Sequence, residues 1–357
     1  MARYLVDALE LGRNPKGISR VLASLAPRVV ARAKAEVFIA CCADADGYLP
    51  DVPQSRVVHV HPQLQSVWEQ WGLPQLARKI DATAVYSHRE SGALWGPPLV
   101  LHVPEDPEVR WERDPPRTLR EHGRRVYSRT TMRRSLTRAV VAASTAAVAD
   151  RLSSRYRIAR EGISIIPLGV DLALFSPADT PAANTVFHLG SSDPRDQTVT
   201  VVEAWATARR AVGDLPRLVI GGALGELAEP VRNRAEQLGA DAVLTGRLSD
   251  AQLAAHLRHA AVVIQPSSDE GFGLQPLEAM ASGAPVVVSR ADAVLEVVGD
   301  CAIVCDTTAS GLADGVVRAL EEAPHLRLAA RSRAEAFTWE ASADAVIRSL
   351  ERAAARA

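Results

Sequence analysis

The stretch Pro266-Ser267-Ser268-Asp269-Glu270-Gly271-Phe272-Gly273-Leu274-Gln275-Pro276-Leu277-Glu278-Ala279-Met280-Ala281-Ser282-Gly283-Ala284-Pro285 decides how the chain is read. Ala261-Val262-Val263-Ile264 comes just before it and Val286-Val287-Val288 just after. Both runs are short, rich in β-branched residues and bounded by Pro or Gly, the pattern of strands buried in a parallel sheet. Between them there is room for a loop and a short helix. Pro276 suits a first helical position, because it lacks the N–H that a helix start leaves unbonded. Gly283 suits the stop. The N–H groups of Gly273, Leu274 and Gln275 then point out of the helix start and form an anion site. Gly271 and Gly273 let the backbone come close to a ligand. Glu270 falls in the loop and Glu278 in the first helical turn. Carboxylates for hydroxyls, beside N–H groups for phosphate oxygens, suit a sugar phosphate. The plainer reading is an ordinary strand–loop–helix–strand in which Glu278 only favours the helix dipole.

Outward from this stretch, short apolar runs alternate with longer helical patterns, the mark of open parallel sheets. In the first half the pattern predicts strands at Tyr4–Asp7, Glu36–Cys41, Val57–Val60, Thr83–Ser87, Leu99–Val103 and Val140–Ala143. In the second half it predicts Thr185–Leu189, Leu218–Ile220, Ala242–Leu244, Ala261–Gln265, Val286–Ser289 and Ala302–Val304. A first helix follows Asn14-Pro15-Lys16-Gly17. Val346, Ile347, Leu350, Ala353 and Ala354 give the last helix an apolar stripe.

The central stretch resembles, without a gap, the E-x7-E element of retaining GT-B glycosyltransferases of the glycosyltransferase family 4 type. Other points fit the same resemblance. Lys16-Gly17-Ile18-Ser19-Arg20 is similar to the family's glycine-rich loop, with one glycine where the family often has two. Ile166-Pro167-Leu168-Gly169-Val170-Asp171 resembles the segment that leads into the C-terminal domain. Gly246-Arg247-Leu248-Ser249-Asp250 is similar to a loop that meets the nucleotide base.

The resemblance implies an α/β protein of GT-B architecture, with two Rossmann-like parallel-sheet domains facing a cleft. Residues 1–162 would bind the acceptor and 163–338 the nucleotide sugar, with the helix 339–357 crossing back to the first domain. It implies transfer of a sugar from a nucleoside diphosphate sugar to an acceptor hydroxyl, with retention. Glu270 would contact the donor sugar and Glu278 the ribose hydroxyls. Lys16, Gly17, Arg247, Gly271, Phe272, Gly273 and Leu274 would line the donor site. His102 ends a strand, where open α/β sheets bind ligands. In the family a histidine there lies near the sugar and is often followed by Asp. Val103 follows here, and Glu105 or Asp106 is a candidate for the missing acid. The departing diphosphate needs its growing charge stabilised. The helix start and a nearby arginine would do this, so no metal and no further cofactor is expected.

The pattern breaks after Gly190. The family places basic residues where Ser191 and Asp196 stand, which leaves Arg195 as the positive group. An aspartate beside a diphosphate is repulsive unless it points away. The expectation is therefore that Arg195 faces the donor and Asp196 the solvent. Two rivals remain open: a nucleotide-sugar epimerase of GT-B fold, and a non-catalytic nucleotide-sugar binder.

Composition bounds the rest. A chain of 357 residues suggests about two domains. A net charge of −1 offers no bulk argument for nucleic acid, and 4 % aromatics argues against base-stacking surfaces. Residues 110–138 hold ten arginines against Glu112, Asp114 and Glu121. They read either as a basic face for anionic lipid or a phosphorylated acceptor, or as a solvated helix face. No histidine pair adjoins Cys41-Cys42 or Cys301 and Cys305, which argues for reduced buried thiols over zinc. His59 and His61, lacking a third ligand, read as structural, and Asp44-Ala45-Asp46 as a solvated loop. The N-terminus reads as a strand, not a signal peptide, and no apolar run reaches about 18 residues. The cytoplasm is the expected location, with peripheral contact at the inner face of the membrane as the alternative if the basic face docks on lipid.

Overall fold

A computed structural model describes residues 2–12, 17–62, 64–113, 115–116, 118–178 and 184–356. The chain divides into two compact units, residues 1–169 with 339–357, and residues 170–338. Each is built on a parallel sheet.

The first sheet holds β1 (Arg3–Asp7), β2 (Glu36–Cys41), β3 (Val57–His59), β4 (Ala84–His88), β5 (Leu99–Val103), β6 (Val140–Ala143) and β7 (Ser164–Ile165). Their order is β3-β2-β1-β4-β5-β6-β7, every pair parallel. The chain runs outward from β1 through β2 to β3, then returns to place β4 on the other side of β1. That reversal is a topological switch point, where the ends of β1 and β4 open a crevice. β4 and β5 are buried at every position; Ala84–Tyr86 and Leu99–Leu101 are the runs the pattern detects, and Ser87, His88 and His102 are buried polar residues towards the carboxyl ends.

β7 was not foreseen in the sequence. It is two residues long, and Ile165 is 36 % exposed, so it has neither the length nor the burial that marks a strand. Because β7 pairs with β6, residues 163–169 belong to the first unit, not to the second half as expected.

The C-terminal helix Trp339–Ala354 packs on the helix Gly17–Arg32 of the first unit. Ala343, Val346, Leu350 and Ala353 are its buried stripe. Arg28 pairs with Glu340 at 2.7 Å, and Arg32 makes a two-pronged bond to Asp344 at 2.7 and 2.6 Å.

The second sheet holds β8 (Thr185–Leu189), β9 (Arg217–Gly221), β10 (Ala242–Gly246), β11 (Ala260–Gln265), β12 (Val286–Val288) and β13 (Ile303–Val304). The order is β10-β9-β8-β11-β12-β13, so the switch point lies between β8 and β11. Its core gathers Trp205, Leu218, Ile220, Val262, Ile264, Val287, Leu312 and Val316. The indole N–H of Trp205 donates to the Pro216 carbonyl at 2.8 Å, which satisfies the one polar group on that side chain.

Candidate active site

The two loops at the β8/β11 switch are joined to each other. The backbone N–H of Ser268 donates to the Arg195 carbonyl at 3.3 Å, and the Gln197 amide donates to the Pro266 carbonyl at 2.9 Å. Arg195 is held in place by its guanidinium: Nε donates to Asp193 at 3.1 Å and a terminal N–H to the Asp269 carbonyl at 3.4 Å. Ser289 fastens the second loop from behind, its hydroxyl donating to the Ser267 carbonyl. Residues 191–197 and 266–273 thus form a braced rim at the carboxyl ends of two adjacent strands.

Two glycines make this rim possible. Gly273 starts the helix Leu274–Ala281 at φ +95°, which residues with a Cβ rarely adopt. Gly222, at φ +102°, lies so close to Gly190 that an added Cβ would stand 1.9 Å from the Gly190 carbonyl oxygen. The sequence placed this helix correctly but not its first residue. It begins at Leu274, so Pro276 is the third helical residue and not the first. Proline is tolerated there because that N–H also has no partner within the helix. Glu278 accordingly lies in the second turn and not the first, and is only 4 % exposed. Gly283 provides the expected stop, with N–H bonds from Gly283 to Met280 and from Ala284 to Ala279, both 3.0 Å.

Glu270, half-buried, occupies the loop with buried Gly271 and Phe272. The Phe272 ring meets Phe337 edge-on, with centroids 5.8 Å apart. Arg247 is exposed just beyond β10. The helix after it, Asp250–Arg258, is capped by Ser249 and Gln252 in a reciprocal pair of bonds of 3.2 and 2.9 Å.

Asp196 differs from expectation. It does not face solvent but is 7 % exposed, turned inward near the fully buried His188. Burial holds the His188 ring below its ordinary range, and the Ile264 carbonyl and Asp196 oppose that shift. His188 also lies 2.9 Å from that carbonyl and 3.1 Å from the Thr198 hydroxyl. Sequence reasoning missed Gln265. It ends β11 and is 2 % exposed, yet neither atom of its amide has a hydrogen-bond partner among the described residues. A glutamine ending an otherwise apolar strand, just before the loop read as a ligand site, is a signal the sequence did carry.

In the first unit the β1/β4 switch gathers buried polar groups. Asp7 accepts from the Trp68 indole at 3.0 Å, the Ser87 hydroxyl at 3.1 Å and Arg89 Nε at 2.9 Å. Arg89 is 5 % exposed and also lies 3.2 Å from Glu10. Burial raises the Glu69 carboxyl, although Ser91 and Gln70 donate to it at 2.9 and 2.7 Å.

His102 stands at the strand end as the sequence indicated, but it is fully enclosed. One ring nitrogen lies 2.8 Å from the Tyr86 hydroxyl and 3.1 Å from His88, the other 2.9 Å from Ser144. Burial and His88 hold it well below the ordinary histidine range. Asp106 is likewise occupied: Arg155 meets it at 2.8 Å, and it caps the N–H of Glu108 at 3.1 Å. Gly17 opens its helix, while Lys16 lies outside the described residues.

The arginine-rich segment forms the helix Leu119–Arg138, started by a Thr118–Glu121 capping box. Arg138 is drawn inward to the Ala93 and Pro97 carbonyls at 3.1 and 3.0 Å, and Arg129 pairs with Glu108. Arg120, Arg124, Arg133 and Arg134 remain exposed. Arg110 and Arg117 fall outside what the structure describes at side-chain level. Among the described residues, no helix is long and apolar enough to cross a membrane.

Comparison with known proteins agrees with this geometry. Residues 15–174 match the model of "Glycosyltransferase Family 4" and residues 183–322 that of "Glycosyl transferases group 1". The MMP alpha-(1->4)-mannosyltransferase of Mycolicibacterium hassiacum is 34 % identical over 286 residues, covering 74 % of this chain and 67 % of that protein. A GDP-mannose-dependent alpha-(1-6)-phosphatidylinositol dimannoside mannosyltransferase of Mycobacterium tuberculosis is 34 % identical over 208 residues. There the match spans 54 % of this chain and about half, 53 %, of the relative's length. The solved sucrose-phosphate synthase of Thermosynechococcus elongatus shares the fold at a TM-score of 0.76, with 16 % identity and all of both chains covered. The chain is thus a member of glycosyltransferase family 4, with the GT-B fold.

Proposed function

We propose that the protein transfers mannose from GDP-mannose, with retention, to a hydroxyl of a sugar- or inositol-type acceptor. The observation that carries the reading is the braced rim at the β8/β11 switch, where Glu270, the helix start at Leu274 and Gln275, and Glu278 lie within one loop and one helix. The names of the mannosyltransferase relatives support the choice of donor.

In this proposal Glu278 accepts the ribose hydroxyls, and the N–H groups of Leu274 and Gln275 receive the diphosphate at the positive end of the helix. Arg195, fixed between Asp193 and the Asp269 carbonyl, adds positive charge and keeps the 266–273 loop in register. Glu270 acts on the transferred ring, whose oxocarbenium-like transition state a carboxylate stabilises. With Asp196 turned inward, the departure from the family's basic residues need not oppose the donor. Arg247 contacts the base. His102, enclosed as it is, is a positioning residue that fixes Tyr86, His88 and Ser144. The Asp7–Arg89–Glu69 cluster serves the acceptor's hydroxyls.

Two variants test the assignment. Glu278→Gln is expected to weaken GDP binding by about 1.5–3 kcal/mol, the range for hydrogen bonds to charged groups. Glu270→Ala is expected to lower turnover while GDP affinity holds, as for an interaction made in the transition state. Calorimetry with GDP and turnover with GDP-mannose separate the two. If Glu270→Ala loses affinity and turnover in proportion, or Glu278→Gln binds GDP normally, the roles are wrong.

A further inference from the structure

We propose that Cys41, Asp46 and His59 form a binding site for a thiophilic divalent cation of the zinc kind, a clasp at one edge of the first sheet, separate from the sugar-transfer chemistry.

The three residues come from three places in the sequence and meet through topology. Cys41 ends β2 and His59 ends β3, and the two are direct partners in the parallel register. The tight turn Ala43–Tyr48, which follows β2, brings Asp46 back over the same strand ends. A sulfur, an imidazole nitrogen and a carboxylate oxygen then lie within 4.8 Å of one another. His59 Nε2 is 3.5 Å from Asp46 Oδ1.

A tetrahedral zinc ion holds sulfur at about 2.3 Å and nitrogen or oxygen at about 2.0–2.2 Å, so its ligand atoms stand roughly 3.3–3.6 Å apart. The trio needs to close by roughly an ångström. The two side chains that must move are the accessible ones, Asp46 at 46 % and His59 at 35 % exposure, while Cys41 is fully buried and fixed. Three protein ligands are what zinc sites that add a water as fourth ligand use.

The donor set selects the metal. A thiolate with an imidazole suits zinc, whereas magnesium and calcium favour oxygen ligands throughout. An ordinary cysteine thiol is mostly protonated at neutral pH, and only the thiolate is a metal ligand. Cation binding breaks the S–H bond, forms a metal–sulfur bond and releases that proton to solvent. Affinity therefore rises with pH.

The sequence argued against zinc here because no histidine adjoins either cysteine pair. Histidine and cysteine sit 18 positions apart and become neighbours only when β3 pairs with β2. The turn that carries Asp46 also touches the end of the first strand's loop. Gly12, in the loop after β1, rests on the same turn: an added Cβ would stand 3.3 Å from the Asp44 carbonyl oxygen.

The test uses the full chain, stripped with chelator, and Zn²⁺ and Co²⁺ as separate probes. Wild type is expected to bind a single Zn²⁺ per chain by calorimetry and metal analysis, with proton release and a raised melting temperature. Co²⁺ is expected to show the charge-transfer absorption of a cobalt–thiolate bond. His59→Ala and Asp46→Asn, both on accessible side chains, are each expected to weaken Zn²⁺ binding about tenfold or more. Cys41→Ser is expected to abolish the charge-transfer band. Because a substitution at a buried strand end also disturbs packing, the two accessible variants decide between the outcomes. The proposal is overturned if stripped wild type takes up no Zn²⁺ at about 100 µM, or if either accessible variant binds it as tightly as wild type.

Discussion

Gln265→Leu should make the free protein more stable and the same protein a poorer nucleotide binder. The Gln265 amide is buried at the end of β11 with no hydrogen-bond partner on either atom among the described residues. Leaving a buried polar group unsatisfied costs about 1–3 kcal/mol, and replacing it with an apolar group of similar size removes that cost. Leucine is close to glutamine in volume and suits a site walled by a buried strand, so a net gain of roughly 1–3 kcal/mol follows. For a unit of this size each kcal/mol moves the melting temperature by about 2–4 °C, so a rise of several degrees is expected. If the amide serves the donor, the variant also forfeits a hydrogen bond to it. That loss is about 1–2 kcal/mol, or roughly 5–30-fold in GDP affinity. Differential scanning calorimetry of the free protein and isothermal titration with GDP read the two effects separately. A destabilised variant would mean that the amide is satisfied inside the protein. An unchanged GDP affinity would remove Gln265 from the donor site. Either result refutes the reasoning.

The other predictions address different parts of the molecule. Gly222→Ala is expected to cost at least about 2 kcal/mol, through strain at positive φ and collision with the Gly190 carbonyl, and to lower the melting temperature and GDP binding together. Acid is expected to destabilise the first unit through its buried histidines. Burial and Arg89 lower His88 to about 4, so between the unfolded value near 6.5 and pH 4 the unfolded chain binds more protons. Stability is therefore full above about pH 6.5 and falls with pH through that window, by on the order of 3 kcal/mol for His88. Urea titrations at about pH 7 and about pH 4.5 should show the loss, and His88→Phe should reduce it. If the exposed arginines of Leu119–Arg138 dock on anionic lipid, the protein should sediment with phosphatidylserine vesicles at low salt and be released at high salt, since the screening length is about 10 Å at 0.1 M. Absence of sedimentation at low salt would leave a solvated helix face.

Much of the fold was legible in the sequence because parallel strands buried on both faces are predominantly apolar. β2, β5, β6 and β8 run between the residues that the pattern predicts. The helix Leu274–Ala281 was legible from Pro276 and from Gly283, whose positive φ other residues rarely adopt. Its first residue was not legible, because proline is acceptable at any position of a first turn. β7 escaped because its two residues lack the burial that marks a strand, whereas the equally short β13 carries the buried Ile303.

What the sequence could not supply was the direction of polar side chains. Asp196 and Arg195 are neighbours, and alternation alone would send one towards the donor and the other to solvent. The packing around His188 instead drew Asp196 inside, while Asp193 and the Asp269 carbonyl held Arg195. His102 is at the expected strand end, yet Tyr86, His88 and Ser144 close around it from β4 and the end of β6. Cys41 and His59 meet only through strand register. Local propensity and burial pattern act over a few residues and can be read along the chain. The partner of a buried charge or thiol is set by which strands lie side by side, and that is decided only when the sheet has formed.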